Sequence, residues 1–332
     1  MPLPSGIRIL APSRVIVLDI PALREQDDDA GVYIAVYPSG SGAWAGAAIL
    51  SSSSPSGPFA RVSSAYAAAT VGMATTVIGT YLGGNTFDEL NTVQVRMFSG
   101  TPESATRVAV LDGANVGVLG DEIIQWTTAT DLGDDIYELS GLLRGRRATE
   151  QFIGAGHALN ERFVVLNTSL VRLPLGTGVI GSNLIYRAVT FGAAEQDSVF
   201  DDYIRHIGGS AIPALVANIT GVRTAAGVLF RWTRRDRLAW EWADYINLPI
   251  SEDLERYTIE IYTASDGAPI RIVNDITTNE YLYTAAQESE DFETLEGIDF
   301  PLPVRTLYVY QMSQQAGRGF SRETTVTGLL NF

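Results

Sequence analysis

The sequence predicts a mainly β, multidomain chain of antiparallel domains, and three observations carry that expectation. Short apolar alternations separated by Gly, Ser, Asn and Pro clusters recur along its 332 residues, the period-two pattern of half-buried strands. Long stretches with helical spacing and proper caps are missing, and a single short helix is expected near Ala194–His206. No internal repeat of fixed period is visible, which disfavours a solenoid or propeller.

Taken in order, the strand-like runs are RVIVLDI at 14–20, VYIAVYP at 32–38, NTVQVRM at 91–97, RVAVL at 107–111 and RFVVLN at 162–167. GGSAIP at 208–213 joins flexible glycines to a fixed proline φ and marks a domain boundary. A weaker division is expected near Gly84–Thr92, giving a β-rich N-terminal region over 1–90, a second β-rich domain over 91–208 and a third domain over 212–332. In the last, LVANITGV, GVLFRWTRR, RYTIEIYTA, APIRIVNDI, EYLYTAA, RTLYVYQMS and TTVTGLL are seven β-like runs. Seven is the strand count of an immunoglobulin-type sandwich.

Composition narrows function. With 46% hydrophobic and 18% charged residues the chain is globular rather than disordered. A formal charge of −15 argues against nucleic-acid binding, which requires a basic surface to neutralise phosphates and release counterions. Cysteine is absent, which removes disulfides, thiolate nucleophiles and cysteine-based zinc sites and suits assembly in a reducing cytoplasm. Every basic residue is arginine, most simply a trace of a GC-rich genome. Between Ala30 and Phe87 the only charge is Arg61. That stretch is broken by Ser51–Ser54, Pro55, Gly57 and Pro58, so a buried or oligomer-facing β-segment is expected in place of a membrane span. The N-terminal MPLPSGIRIL lacks the basic region and long apolar core of a secretory signal.

The stretch from Ala109 to Glu150 contains LDGAN, EIIQW and YELSGLLRGRRATE. It resembles the C-terminal region of the host-specificity (hub or "megatron") proteins of siphophage-like and gene-transfer-agent tails, which share L-x-G-A-N, E-x-I-Q-[FW] and Y-x-L-S-x-L-L-R-G-x-R-x-T-E. FVVL at 163–166, YRAVTFG at 186–192, RWTRRDR at 231–237, NLPISEDLERYTIEI at 247–261 and YVYQMSQQAGRGFSRE at 308–323 follow in the order that family shows. The resemblance implies a structural component of a tail tip or baseplate, located in the virion and assembled in the host cytoplasm. Its implied partners are other hub and distal tail proteins, further copies of itself with a trimer favoured, and a bacterial cell-surface receptor or glycan. Longer relatives carry a barrel domain similar to glycoside hydrolases ahead of this region, and hub duties are expected to be shared with another polypeptide. The terminal domain resembles fibronectin type III, with Trp232 between Phe230 and Arg234 in the place of that family's core tryptophan.

Five side chains are candidates for partner binding. Arg144, Arg146 and Arg147 lie in LLRGRRATE, where Gly145 bends the chain. Guanidinium forks there would grip a carboxylate or a surface polyanion such as lipopolysaccharide. The competing expectation is internal pairing with Asp121, Glu122, Asp134 or Asp135. Trp240 and Trp242 flank Glu241 and would serve as a carbohydrate platform or as an edge seal. In RWTRRDR, strand alternation would send Arg231, Thr233, Arg235 and Arg237 to one face, neutralised by Glu252, Asp253 and Glu255. Acidic clusters at Asp27–Asp29, Asp201–Asp202 and Glu288–Asp299 lack the ligand spacing of a calcium loop.

His157 and His206, the only histidines, are isolated in sequence and belong to no nucleophile or zinc motif. No catalytic residue, cofactor or metal is expected. The alternative reading is a carbohydrate-binding module or a glycoside-active surface protein, distinguished by paired carboxylates or exposed tryptophans in a cleft.

Overall fold

The computed structural model describes residues 9–154, 156–198, 200–239, 250–262, 267–293 and 305–326. The chain divides into two compact units, Met1–Pro21 with Asp29–Ser210, and Ala22–Asp28 with Ala211–Phe332. The first unit contains β1 (Ser13–Leu18), β2 (Val32–Pro38), β3 (Ala47–Ser52), β4 (Ala60–Ala65), β5 (Val71–Ala74), β6 (Val93–Ser99) and helix α1 (Arg107–Leu111). It continues with β7 (Val116–Leu119), β8 (Glu122–Gly133), β9 (Ile136–Arg146), β10 (Arg162–Val165), β11 (Val171–Leu173), β12 (Asn183–Thr190) and β13 (Asp201–Arg205).

These strands build two nested bodies. Sheets β1-β2-β11 and β13-β12-β3-β4 share one core, with Val15, Val17, Ile34 and Val36 of the first meeting Ile49, Tyr186 and Ala188 of the second. β2 is the central strand of its sheet. Its residues Val32–Tyr37 are all buried, so VYIAVY reads as a continuous apolar run instead of an alternation. Between β4 and β11 the chain makes a closed antiparallel barrel, ordered β10-β5-β6-β9-β8-β7, with β7 pairing back onto β10. Closure leaves no unpaired edge, and the lumen is filled by Ile78, Val93, Val95, Leu119, Trp126, Leu142 and Phe163.

This nesting corrects the expected division at residue 90. Strands before and after that point share sheets, β3 with β12 and β5 with β6, so 1–90 and 91–208 are not separate domains. Two local assignments also change. RVAVL at 107–111 forms α1, capped where the Thr106 hydroxyl accepts from the Ala109 N–H at 3.2 Å; its five residues are too few to separate the helical from the strand period. The segment expected as a helix near 194–206 is a single 3-10 turn, Glu195–Asp197, followed by β13.

The second unit contains β14 (Ala217–Thr224), β15 (Gly227–Thr233), β16 (Tyr257–Tyr262), β17 (Arg271–Ile276), β18 (Glu280–Thr284), α2 (Ala285–Glu293), β19 (Arg305–Ser313) and β20 (Gly317–Val326). It also includes 22–28, which the sequence reading placed in the N-terminal region. Sheet β14-β15-β18 and sheet β17-β16-β19-β20 form a fibronectin type III-like sandwich, with first, second and fifth strands in one layer and third, fourth, sixth and seventh in the other. Trp232 is 2% exposed and meets Tyr257 edge to face at 5.1 Å, amid Phe230, Ile259 and Val309.

The charge-poor stretch splits. Its β2, β3 and β5 portions are core, while Tyr66, Val77 and Leu82 are exposed. Among the described residues no helix is long and apolar enough to cross a membrane.

Candidate functional site

The barrel draws the motif residues into one hydrogen-bonded unit. β8 and β9 are an antiparallel pair, which sets Glu122–Trp126 beside Leu142–Arg146. The guanidinium of Arg144 donates from Nε to Glu122 Oε1 and from Nη2 to Glu122 Oε2, both at 2.8 Å, and from Nη1 to the Gly79 carbonyl at 3.2 Å. Asp88 Oδ2 lies 3.5 Å from the same Nη1. The Gly145 N–H donates to Glu122 Oε1 at 2.7 Å. Gly145 is there for geometry: its φ is +59°, and a Cβ would stand 2.8 Å from Glu150 Cα.

The remaining motif positions serve the same corner. Gln125 donates to the carbonyls of Val110 at 2.6 Å and Ala114 at 2.9 Å and accepts from Arg146 Nε at 2.9 Å. Asn115, at φ +52°, donates to the carbonyls of Glu103 and Trp126. The Thr149 hydroxyl accepts from the Ile123 N–H at 2.9 Å and donates to the Arg146 carbonyl at 2.7 Å. Buried polar groups must be paired, and this motif is such a set of mutual pairs.

His157 completes the cluster. Its Nε2 lies 2.7 Å from Glu122 Oε2 and its Nδ1 2.6 Å from Glu161 Oε2. It reaches this position because His157 and Ile78 exchange backbone hydrogen bonds. Burial pushes the Glu122 carboxyl up, but bonds from His157 and Arg144 outweigh it and hold the group below its ordinary range. Burial likewise opposes the His157 cation, and the two glutamates overcome it, raising the imidazole above its usual value. Beside His157 opens a cleft of about 570 Å³, lined also by Asp121, Gln151, Phe152, Glu161 and Arg162.

Of the predicted site residues, Arg144 is fully buried and is a structural partner of Glu122, which corrects its assignment to a docking patch. Arg146 is half-buried against Gln125. Arg147 is also half-buried, at φ +54°, and burial lowers its pKa. Trp240 and Trp242 lie outside the described residues, as do Glu296 and Asp299 of the acidic cluster.

The expected cationic row on RWTRRDR does not form, because β15 ends at Thr233. Arg231 pairs with Glu280, while Arg237 is buried against Glu252 at 2.9 Å and also bonds Asp28. The described acidic clusters are paired with arginines, Asp27 with Arg24, Asp201 with Arg187, and Glu290 and Asp291 with Arg271. Sequence reasoning missed the Glu122–His157–Glu161 contact, since only the fold brings these positions together.

Comparison with known proteins falls on this barrel. Residues 69–164 match the family described as "Rcc01698-like, C-terminal", a family associated with gene transfer agents. The matched segment spans β5 through most of β10, the inserted barrel with its whole charge cluster. No curated protein matches the chain. Among solved structures, the chicken CNTN1 FN1-FN3 domains align at 11% identity over 95% of this chain and 98% of that one, with a TM-score of 0.22. At that score the fibronectin-like assignment rests on strand order instead.

Proposed function

We propose that the protein is a structural component of a siphophage-like tail tip or baseplate, of a phage or a gene transfer agent, acting in hub assembly and host-surface attachment. The observation that carries this reading is the coincidence of the matched segment 69–164 with one closed barrel, whose motif residues are spent on holding that barrel together. A motif of mutual buried pairs is an architectural element. The same saturation favours a non-enzymatic role: Arg144 and Glu122 are bound to each other and to neighbours in the chain and are not poised over an open site.

In this reading the partners are other hub and distal tail proteins, further copies of the chain in a threefold arrangement, and a bacterial surface receptor or glycan. The exposed, uncharged portion around Val77 and Leu82 suits contact with another subunit, since interface cores are depleted of charge. Deleting the gene and examining the particles tests the proposal. It expects filled heads that lack a complete tail tip and no longer adsorb. Normal, infective or transducing particles without this protein would overturn it.

A further inference from the structure

The buried cluster on the barrel is one positive charge short. Glu122 at the start of β8, Arg144 on β9 and Asp88 in the loop before β6 are fully buried and sum to one negative charge. Glu122 accepts from the Arg144 fork and from the Gly145 N–H, bonds that hold a carboxyl in its charged form. Asp88 accepts from the Leu90 and Asn91 N–H groups and from Asn91 Nδ2. His157 is 4% exposed and stands between this cluster and the half-exposed Glu161. Its Nε2 is 2.7 Å from Glu122 Oε2 and its Nδ1 2.6 Å from Glu161 Oε2. A neutral imidazole has a single N–H, so it would turn a lone pair on one of these oxygens. The imidazolium satisfies both and cancels the buried charge. Asp121 and Arg162, which line the same cleft, neutralise each other at 2.6 Å.

We propose that a bound proton completes the barrel: His157, carried as the imidazolium, is the counter-cation of the buried Glu122–Arg144–Asp88 cluster, and the barrel loses stability in mild alkali as that proton leaves. The backbone fixes the ring in its place. His157 and Ile78 exchange N–H and carbonyl bonds, the Ala74 N–H bonds the Glu161 carbonyl, and the Asn160 N–H bonds the Ala74 carbonyl. Deprotonation therefore leaves a lone pair facing a carboxylate and one buried negative charge without its partner, a cost that falls on the fold as a whole. The raised imidazole pKa sets the sign. The folded barrel binds the proton more tightly than the unfolded chain, so the contribution is whole below the ordinary histidine value of about 6.5 and is lost as pH rises through the raised value.

The test uses the full chain and has two arms. In the first, nitrogen NMR follows the rings of the two histidines, with His206→Gln assigning the signals. His157 is expected to carry protons on both ring nitrogens at about pH 7 and to titrate above about 6.5. A neutral His157 ring at that pH overturns the proposal, whatever the variants do. In the second, urea unfolding of wild type and His157→Gln is compared between about pH 6 and about pH 9. The wild-type unfolding constant of the first unit should rise by up to about tenfold per pH unit above about 6.5, the slope of one linked proton, and level off past the raised value. H157Q should lack that rise; the same rise in H157Q, or a flat wild type, overturns the proposal. If H157Q does not fold, Glu161→Gln takes its place. Removing one of the two carboxylates that face the ring should narrow the pH range of the rise, and an unchanged range overturns the proposal.

Discussion

Arg144 and Glu122 form a two-pronged pair, both contacts at 2.8 Å, with neither side chain exposed to solvent. A pair of this kind holds β9 to β8 at a fixed register because the planar fork of guanidinium accepts a carboxylate in one orientation. Its net contribution to stability is modest, since two charges were taken out of water, but removing either partner strands the other.

Arg144→Met and Glu122→Leu should therefore each destabilise the first unit by about 3–5 kcal/mol. The double variant should lose much less than the sum of the two, because no orphaned charge from the pair remains. Urea denaturation of the four proteins measures this cycle. Single losses below about 1 kcal/mol would show that the pair is effectively solvated.

Gly145→Ala tests the backbone beneath that pair. Left-handed φ at a residue with a Cβ costs about 1–2 kcal/mol, and the new methyl would also press on Ile153 Cδ1 at 2.7 Å and Glu150 Cα at 2.8 Å. The expected loss is at least that amount, read as a lowered unfolding midpoint. Gly113→Ala, at φ +96° with nothing within 4 Å, should show the conformational cost without the collision.

In the second unit, Trp232→Ala should cost about 3–5 kcal/mol, since the ring is buried against Tyr257. The loss should appear in the unfolding of residues 211–332, followed by tyrosine fluorescence or circular dichroism. A change under about 1 kcal/mol would mean that the ring contributes little to that core.

The two histidines should titrate with opposite effects on stability. His206 is 0% exposed, its Nε2 lies 3.0 Å from the Tyr186 hydroxyl, and burial lowers its pKa despite Asp19 nearby. The unfolded chain then binds the proton more readily than the folded one, so stability is lost as pH falls from about 6.5 toward the lowered folded value. Comparing the wild type with His206→Gln between about pH 7.5 and pH 5 isolates this contribution. An equal acid response in both proteins would remove His206 as its source.

Much of the fold is legible in the sequence because alternation is a local signal. VYIAVYP spans β2 in full, and RFVVLN starts where β10 starts. α1 was not legible, because in five residues RVAVL fits either period. The insertion of the barrel between β4 and β11 was also hidden, since nothing around residue 66 or 170 announces that β3 will pair with β12 across it. For the site, the pairing of an LLRGRR arginine with Glu122 was among the sequence expectations. The role of His157 was not, as 35 residues separate it from Glu122 and only the Ile78 bridge brings it there.

The most direct test of the tail-tip assignment is a cryo-electron microscopy map of the intact particle at side-chain resolution. The account predicts density for the β5–β10 barrel and for the two sheets of the same unit, β1-β2-β11 and β13-β12-β3-β4, at the distal end of the tail, in a threefold ring with Val77 and Leu82 against a neighbouring subunit. A complete tail-tip map with no density for this chain would contradict it.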